Sequence, residues 1–557
     1  MNDTVAPAGA ATSAESAAPS VFARKSSGLV KELGAFESFS INLISLGPGP
    51  AFGLFFTILL FITGANLMDA VLIAALIAVP TVIAYAVMSI EMPRSGGEYV
   101  YSSRMLHPYF GFVSGAARMM NVIIYAAVLP YWFVTLSVGP GFGAWGAITG
   151  NTTFLNWGNW LTLGLPTINN LYVVIIGEVL TIVAMLLYIV LKPRPAFRVF
   201  SALLLLELLG LVVSVVLLAA MGHSAFVTTF NSFMTNGYGA PAGSYQYLAN
   251  YGATNFGAYG SSWTNTLEFV PLIFAFYFMF STAPSYIAGE FRRSARSIRI
   301  GMAISYLLAV VFSILLVFEF EQVVGMNFLN GTASQLYYGV YGGSAQYFLP
   351  FGAGLASYPM MAAHGNNILI AIIFLGSVSW YALWVILGLY IFSRYALSFS
   401  LDRLFPRFMS ATTRSTHSPV AGIVTVSAFG LVLMPLMTYY YSDLYTPFVF
   451  LLFFLPMVSV SLTSLSLVRL GIQKRRPLST AAGVVSFGIT VVAAYLVTTL
   501  PLLGSAAGFT PSNQTTGYFA IVFILVVSAI WYFVARWYHQ RRSGLDIALA
   551  FKELPPD

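Results

Sequence analysis

Twelve apolar stretches dominate this sequence, and each is long enough to cross a lipid bilayer, which takes about 20 residues of helix. They lie at 40–64, 68–92, 110–138, 169–191, 196–221, 266–290, 299–323, 366–393, 419–440, 446–470, 480–502 and 516–538. We number them spans 1–12. The sequence therefore predicts an all-α integral membrane protein with twelve transmembrane helices.

Composition supports this class and excludes others. Of the 557 residues, 58% are hydrophobic and only 8% are charged, whereas soluble proteins carry about 25% charged residues. The absence of cysteine excludes disulfides and thiolate metal sites. The five histidines lack metal-ligand spacing, and no nucleophile–base pair or phosphate-binding loop is recognisable. We therefore predict no enzyme, no catalytic residue, no metal site and no cofactor beyond a coupling H⁺ or Na⁺.

The Lys and Arg residues are confined to one side of the predicted topology. The connections at 139–168, 222–265, 324–365, 441–445 and 503–515 contain none of the 25. Because cytoplasmic connections are enriched in Lys and Arg, both termini are predicted to be cytoplasmic, in a multi-pass protein of the plasma membrane. The net charge of +7 thus reflects topology, and we predict membrane lipid and no nucleic acid as a partner.

Span 1 cannot be one continuous helix. It contains Gly47-Pro48-Gly49-Pro50, and each proline lacks the N–H of the helical ladder and clashes with a carbonyl one turn earlier. A break at membrane depth is tolerated only where it faces protein or a cavity. The break therefore indicates either a wall of a solute site or a kink satisfied by neighbouring helices.

Span 6 is interrupted in a similar way, at Pro284 after the sequence FMFSTA at 278–283. Ser281, Thr282 and Ser285 can bond to the backbone groups that the proline leaves free. Paired interruptions five spans apart indicate a transporter site built from inverted repeats. This pairing favours the solute-site interpretation of the first break.

Two further segments carry a family resemblance. Residues 93–101 read PRSGGEYVY, and residues 393–407 read SRYALSFSLDRLFPR. Together with Gly47-Pro48-Gly49 and with AGE at 288–290, they resemble the amino acid–polyamine–organocation (APC) permeases over roughly residues 35–470. The resemblance implies the leucine-transporter-like fold, with two inverted five-helix repeats, two further C-terminal helices, discontinuous helices 1 and 6, and alternating access around a central site.

The domain organisation that follows has six parts. They are a disordered cytoplasmic tail (1–34), the first repeat (35–221), an extracellular loop (222–265), the second repeat (266–470), helices 11 and 12 (471–538) and a cytoplasmic tail (539–557). The resemblance leaves a monomer or a homodimer open.

The resemblance also implies a set of substrate-binding residues. An amino acid carboxylate would bind the amide end of one half-helix, and its ammonium would bind carbonyls of the other. The carboxylate end would be lined by Ser45, Leu46, Gly47 and Gly49. The ammonium end and side-chain pocket would be lined by Phe276, Met279, Phe280, Ser281 and Thr282, with Ser377 and Trp380 of span 8 as further wall residues.

This sequence departs from the family pattern in two places. Where many relatives have F-x-G-x-E in span 6, this chain has Phe280 at the glycine and Thr282 at the glutamate. We therefore expect a narrowed pocket that disfavours a strongly cationic substrate. The prolines of span 1 leave few N–H donors, so the carboxylate is expected to bind more weakly or elsewhere.

Two acidic residues, Glu178 and Glu207, lie at membrane depth in spans 4 and 5, where ionisable residues are costly and often functional. Glu207 is flanked by apolar residues on both sides. Burial would favour its neutral form and suit it to proton coupling; the alternative is a protonated carboxyl bonded to a nearby carbonyl. The predicted function is transport of amino acids by a permease, which works either as a proton-coupled symporter or as an antiporter. The alternatives are a polyamine or other organic cation transporter and a sodium-coupled symporter.

Overall fold

The computed structural model describes residues 22–24, 26–165, 167–238, 240–334, 356–499 and 511–556. Within these ranges the chain is helical and has no β-strand, only isolated bridges of Leu33 with Phe291 and of Ser95 with Ile287. The prediction of an all-α protein with twelve spans is confirmed for the described residues. Their bounds are Ala35–Phe61, Leu67–Glu91, Pro108–Thr149, Asn170–Val190, Pro193–Asn236, Trp263–Phe280, Ser294–Val324, Asn367–Leu401, Val420–Tyr439, Tyr441–Gln473, Pro477–Thr499 and Tyr518–Ser543.

Spans 1 and 6 are both discontinuous. Span 1 consists of helix 1a (Ala35–Leu46) and helix 1b (Pro48–Ile58). Span 6 begins with helix 6a (Trp263–Phe276) and continues as short 3₁₀ turns as far as Glu290. The inverted repeat itself remains a prediction.

Several connections between spans are helical. The helix Gly97–Met105 joins spans 2 and 3, and Thr152–Leu161 follows span 3. The predicted loop 222–265 contains the end of the helix Pro193–Tyr238, which is interrupted at Gly222 (φ 69°, ψ 168°), and a second helix at Ser244–Phe256. Two more short helices, Met326–Ser334 and Ser357–Ala362, lie within the connection 324–365.

Burial identifies the centre of the bundle. In the apolar stretches of spans 1, 3 and 6, 78%, 78% and 72% of the residues are buried, whereas the share for span 12 is 22%. Spans 1, 3 and 6 therefore form the middle of the bundle, and span 12 lies at its edge.

Both ends of the described chain pack on the same end of the bundle, which we call the terminal face. Ala23 N–H donates to the Leu401 carbonyl (2.9 Å), and Leu33 N–H donates to the Glu290 carbonyl (3.1 Å). Arg94 Nε donates to the Pro555 carbonyl (2.7 Å). The predicted disordered tail falls largely on residues 1–21, which lie outside the described residues. The other end of the bundle is called the opposite face.

Candidate substrate site

The break in span 1 depends on one glycine. Gly47 has φ 63° and ψ 64°, and its N–H closes helix 1a by donating to the Leu43 carbonyl (2.9 Å). Pro48 then starts helix 1b at the position where a missing N–H costs nothing. A Cβ on Gly47 would lie 2.3 Å from the Trp384 ring, so the glycine is required both by its backbone angles and by the indole.

Helix 1b offers few amide donors at the break. Pro48 and Pro50 have none, and the N–H of Ala51 donates to the Gly47 carbonyl (3.1 Å). The first turn therefore presents the N–H of Gly49 alone. The prolines therefore leave this helix N-terminus with one free amide donor for an anion, and weaker carboxylate binding stays a prediction.

The two breaks are bonded to each other and to neighbouring spans. Ser45 Oγ donates to the Phe280 carbonyl (2.9 Å). Asn42 Nδ2 donates to Ser281 Oγ (2.9 Å) and to Ser305 Oγ of span 7 (2.7 Å). These bonds satisfy polar groups at membrane depth, as the interruption requires.

A narrow cavity of about 60 Å³, the central cavity, lies beside the two breaks. Spans 1, 3, 6, 8 and 10 enclose it, and eight of its 21 wall residues are aromatic. Phe276 stacks on Phe453 with 3.4 Å between ring centroids, and Phe280 packs edge-on to the same ring at 6.3 Å. Phe280 thus lies in the cavity wall, and the narrowing expected from its replacement of glycine stays a prediction.

A wider cavity of about 340 Å³, the distal cavity, lies towards the opposite face. It extends to residues 162–164 and 356–357 of the connections on that face. The two cavities have five wall residues in common: Pro50, Leu54, Trp132, Leu136 and Tyr381. The two cavities are therefore neighbours that share part of their wall.

The predicted site residues are divided between these cavities. Three line the central cavity: Ser45, Phe276 and Phe280. Four line the distal cavity: Gly49, Glu207, Ser377 and Trp380. The remaining five line neither: Leu46, Gly47, Met279, Ser281 and Thr282.

The hydroxyls among the last group bind protein instead. Ser281 accepts from Asn42, as described above, and Thr282 Oγ1 lies 2.7 Å from the Tyr286 hydroxyl. Ser377 Oγ, on the distal wall, lies 3.1 Å from Ser137 Oγ. The first two hydroxyls thus bond to side chains of spans 1 and 6 and not to the interrupted backbone, and Ser377 links spans 8 and 3.

Glu207 is enclosed without a partner. Its relative exposure is 1%, and neither carboxyl oxygen has a hydrogen-bond partner among the described residues. Glu178 is partly exposed in span 4 and does not line either cavity. The two membrane-depth acids therefore have different surroundings, and only Glu207 faces a cavity.

Other wall residues were not predicted as site residues. Asn121 lines the central cavity; its Nδ2 donates to the Leu452 carbonyl (2.5 Å), and its Oδ1 has no partner among the described residues. Trp384 lines the same cavity and donates from Nε1 to the Ile44 carbonyl (2.6 Å). The only sequence signal was an amide in an apolar span and an aromatic one turn from Trp380, which also fits helix packing.

The central cavity is closed towards the terminal face by a buried carboxylate. Glu98 is 0% exposed and accepts from Arg118 Nη2 at 2.9 Å. The hydroxyls of Tyr85 (2.8 Å), Tyr286 (3.2 Å) and Tyr395 also donate to it. Residues of spans 2, 3, 6 and 8 thus converge on one carboxylate, and Arg118 and Tyr286 form the cavity wall on this side.

Two further buried ion pairs lie near the terminal face. Arg394 of span 8 donates from Nε and Nη2 to the two oxygens of Glu290, each at 2.9 Å. Arg104 donates from Nη1 (2.7 Å) and Nη2 (2.8 Å) to Asp402. The Tyr99 hydroxyl donates to the same carboxylate.

The pKa values of Arg104 and Tyr99, in the cluster around Asp402, are shifted by burial and by the Asp402 carboxylate. Burial alone would lower the pKa of Arg104, but the Asp402 carboxylate beside it raises that pKa overall. Burial, with Asp402 adding to it, raises the pKa of Tyr99 well above its usual range. Arg104 therefore stays charged and Tyr99 stays a neutral donor at physiological pH.

Comparison with known proteins gives two findings. The family model described as "Amino acid permease" matches residues 41–548. Over 108 residues, the chain is 29% identical to "Uncharacterized protein 399" of Sulfolobus islandicus rod-shaped virus 1, covering 19% of this chain and 27% of that protein. The chain thus spans about a quarter of the length of this relative.

Proposed function

Because this chain belongs to the amino acid permease family, we propose that it is a secondary active transporter of amino acids that works by alternating access around the central cavity. The observation that carries the proposal is the pairing of two interrupted spans beside one cavity, joined by the bond from Ser45 to the Phe280 carbonyl. Such paired breaks give polar backbone ends at membrane depth without any charged side chain.

The substrate head group would bind between the breaks. Its carboxylate would accept from Gly49 N–H at the positive end of helix 1b, while the Ser45 hydroxyl keeps its bond to the Phe280 carbonyl. Its ammonium would donate to Asn121 Oδ1, which has no other partner among the described residues. The aromatic wall at Phe276, Phe280 and Phe453 favours an apolar stem on the side chain.

The three buried ion pairs would form the gate at the terminal face, which we propose is cytoplasmic on the grounds of the Lys and Arg distribution. Glu98, Glu290 and Asp402 link different spans on this side. Opening to the cytoplasm would separate these links, whereas the distal cavity lies on the path from outside. The described conformation then corresponds to one in which the inner gate is closed.

For coupling, we propose protonation of Glu207, with symport and exchange both compatible. A neutral form is favoured because no group of the described chain hydrogen-bonds its carboxyl. Of the described residues, it is the only acidic or basic one that lines the distal cavity; the other titratable wall residues are the phenols of Tyr381, Tyr441 and Tyr445. Sodium coupling at the span 1 break is disfavoured because the Ile44 carbonyl, a possible ligand of the ion, already accepts a hydrogen bond from the Trp384 indole.

Uptake by liposomes that contain the full-length protein tests this function. We expect accumulation of at least one labelled amino acid from a panel when a proton gradient is imposed, directed inward for symport or outward for exchange, and no added effect of a sodium gradient. Glu207→Gln is expected to abolish the response to the proton gradient. Glu178→Gln is the matched control, since it removes a second membrane-depth acid that lines neither cavity, and it should leave the response intact.

Two results would contradict the proposal. If no amino acid of the panel is bound or transported, the protein is not an amino acid permease in function. If Glu207→Gln keeps full proton-driven accumulation, coupling lies elsewhere although the transport function stands.

A further inference from the structure

The distal cavity contains an acceptor and a donor that the described residues leave unused. The acceptor is the carboxyl group of Glu207, whose two oxygens are both without a partner. The donor is the indole Nε1 of Trp380, which is 3% exposed and also without a partner. Buried polar groups are rarely left unsatisfied, so the pair indicates a ligand or a proton that belongs there.

The charge of the cavity determines what this ligand can be. Within the described part of the chain, no Lys, Arg or His lines it, and Glu207 is its only acid. The acidic and basic residues of the spans packed against span 5 do not line it either: Glu37, Glu178, Arg296, Arg299, Glu319, Glu321 and Arg394. A buried carboxylate without a cationic partner is costly. The site is therefore stable only with a proton or with a cation on Glu207.

The shape and lining of the cavity favour an organic cation. Its volume is about 340 Å³, which exceeds the need of a bare ion. The aromatic rings of Trp380, Tyr381, Tyr441 and Tyr445 form part of the wall, and such rings attract ammonium groups. The wall hydroxyls of Ser214 and Thr135 already donate to the backbone of their own helices. They are therefore not donors to Glu207.

We propose that the distal cavity is a binding subsite for a primary ammonium group, with Glu207 as its counter-ion and a proton as its competitor. When the amine binds, the carboxyl proton leaves to solvent, so one positive charge replaces another and no covalent bond changes apart from the O–H bond of that carboxyl. The Trp380 N–H remains available to an oxygen atom of the same ligand. This inference extends the proposed function, on which its place in transport rests: a substrate with its head group at the breaks would extend a side-chain amine past Pro50 and Tyr381 into this subsite.

The subsite can be tested without a transport assay. Binding of labelled n-butylamine to the purified full-length protein in nanodiscs would be measured between pH 5 and pH 8. We expect binding to tighten as the pH rises, because protons then compete less for Glu207. Glu207→Gln should weaken it at least about tenfold, the size of a lost charge-assisted hydrogen bond, and should remove the pH dependence.

Two further variants serve as controls for this experiment. Glu178→Gln should bind butylamine like the unmodified protein. Glu207→Asp keeps the charge on a shorter side chain, so it should retain pH-dependent binding even if the Gln variant is unstable. Absence of butylamine binding in the unmodified protein, or equal binding in Glu207→Gln, would overturn the subsite.

A second comparison separates the subsite from the proposed function. L-lysine and L-norleucine share the same head group and chain length, and only lysine has a terminal amine. We expect lysine to bind at least about tenfold more tightly, and the difference to vanish in Glu207→Gln. Equal binding of the two amino acids contradicts the subsite, whereas butylamine binding without binding of either amino acid contradicts the amino acid function alone.

Discussion

Gly47 is a glycine for two independent reasons, and they can be separated experimentally. Its left-handed backbone (φ 63°) disfavours any side chain, and the Trp384 ring occupies the place of a Cβ. Gly150 shares the first feature (φ 69°), but a Cβ added there would meet no other atom of the described chain within 4 Å. The two glycines therefore form a matched pair.

Gly47→Ala is expected to destabilise the protein more than Gly150→Ala. The backbone strain alone costs about 1–2 kcal/mol in each case, and displacement of the Trp384 indole adds to it only at Gly47. The displaced indole also loses its bond to the Ile44 carbonyl. Thermal unfolding of the two purified variants measures the difference. Equal unfolding temperatures would show that displacing the Trp384 ring does not lower the stability.

At the level of the elements, the buried ion pairs decide how the spans are held at the terminal face. The Arg394–Glu290 pair is nearly inaccessible, with side-chain exposures of 2% and 1%. The Arg476–Glu91 pair at the same face has exposures of 49% and 19%. Breaking a buried pair costs about 3–5 kcal/mol, whereas an exposed pair contributes about 0–1 kcal/mol.

Glu290→Gln is therefore expected to open the terminal side, and Glu91→Gln is expected to leave it closed. The chain has no cysteine, so a single Val122→Cys in the central-cavity wall reports access. A membrane-impermeant maleimide should label it from the terminal face faster in the Glu290→Gln background. Labelling that is unchanged there, or equally fast with Glu91→Gln, would contradict the gate.

At the level of the whole molecule, the segment after span 12 (residues 544–556) packs against parts of the chain that are distant in sequence. Phe551 is 6% exposed and packs against the Arg104 guanidinium (4.9 Å to its ring centroid). Arg104 Nε also donates to the Glu553 carbonyl (3.1 Å). The segment thus covers the helix Gly97–Met105 and the ion pair to Asp402, next to the proposed gate.

Phe551→Ala should destabilise the protein by about 3 kcal/mol, the usual cost of removing a buried aromatic ring. Leu549→Ala is the matched control in the same segment, since Leu549 is 46% exposed, and it should have little effect. Thermal unfolding in detergent measures both. A similar loss in the two variants would mean that the segment contributes through its backbone and not through the ring.

The sequence by itself determined the features that depend on local chemistry. The length of the apolar stretches sets the twelve spans, and proline and glycine set the breaks in spans 1 and 6, because a missing N–H acts within one turn of helix. The departures at Phe280 and at the prolines of span 1 followed from the same local reasoning. Glu207 was identified because an acid in an apolar span has no local partner.

Only the tertiary structure decided which residues meet. Ser45 and Phe280 are 235 positions apart, and Trp384 and Ile44 are 340 apart. No local pattern indicates such pairs. In a span that is apolar on all sides, the sequence does not show which face points towards the neighbouring spans. For that reason, the sequence alone did not distinguish Leu46, Met279 and Thr282, which line neither cavity, from Asn121 and Trp384, which line the central cavity. The partners of Glu98 and the cavity beside Glu207 also arise from the packing of several spans, which the sequence of one span does not contain.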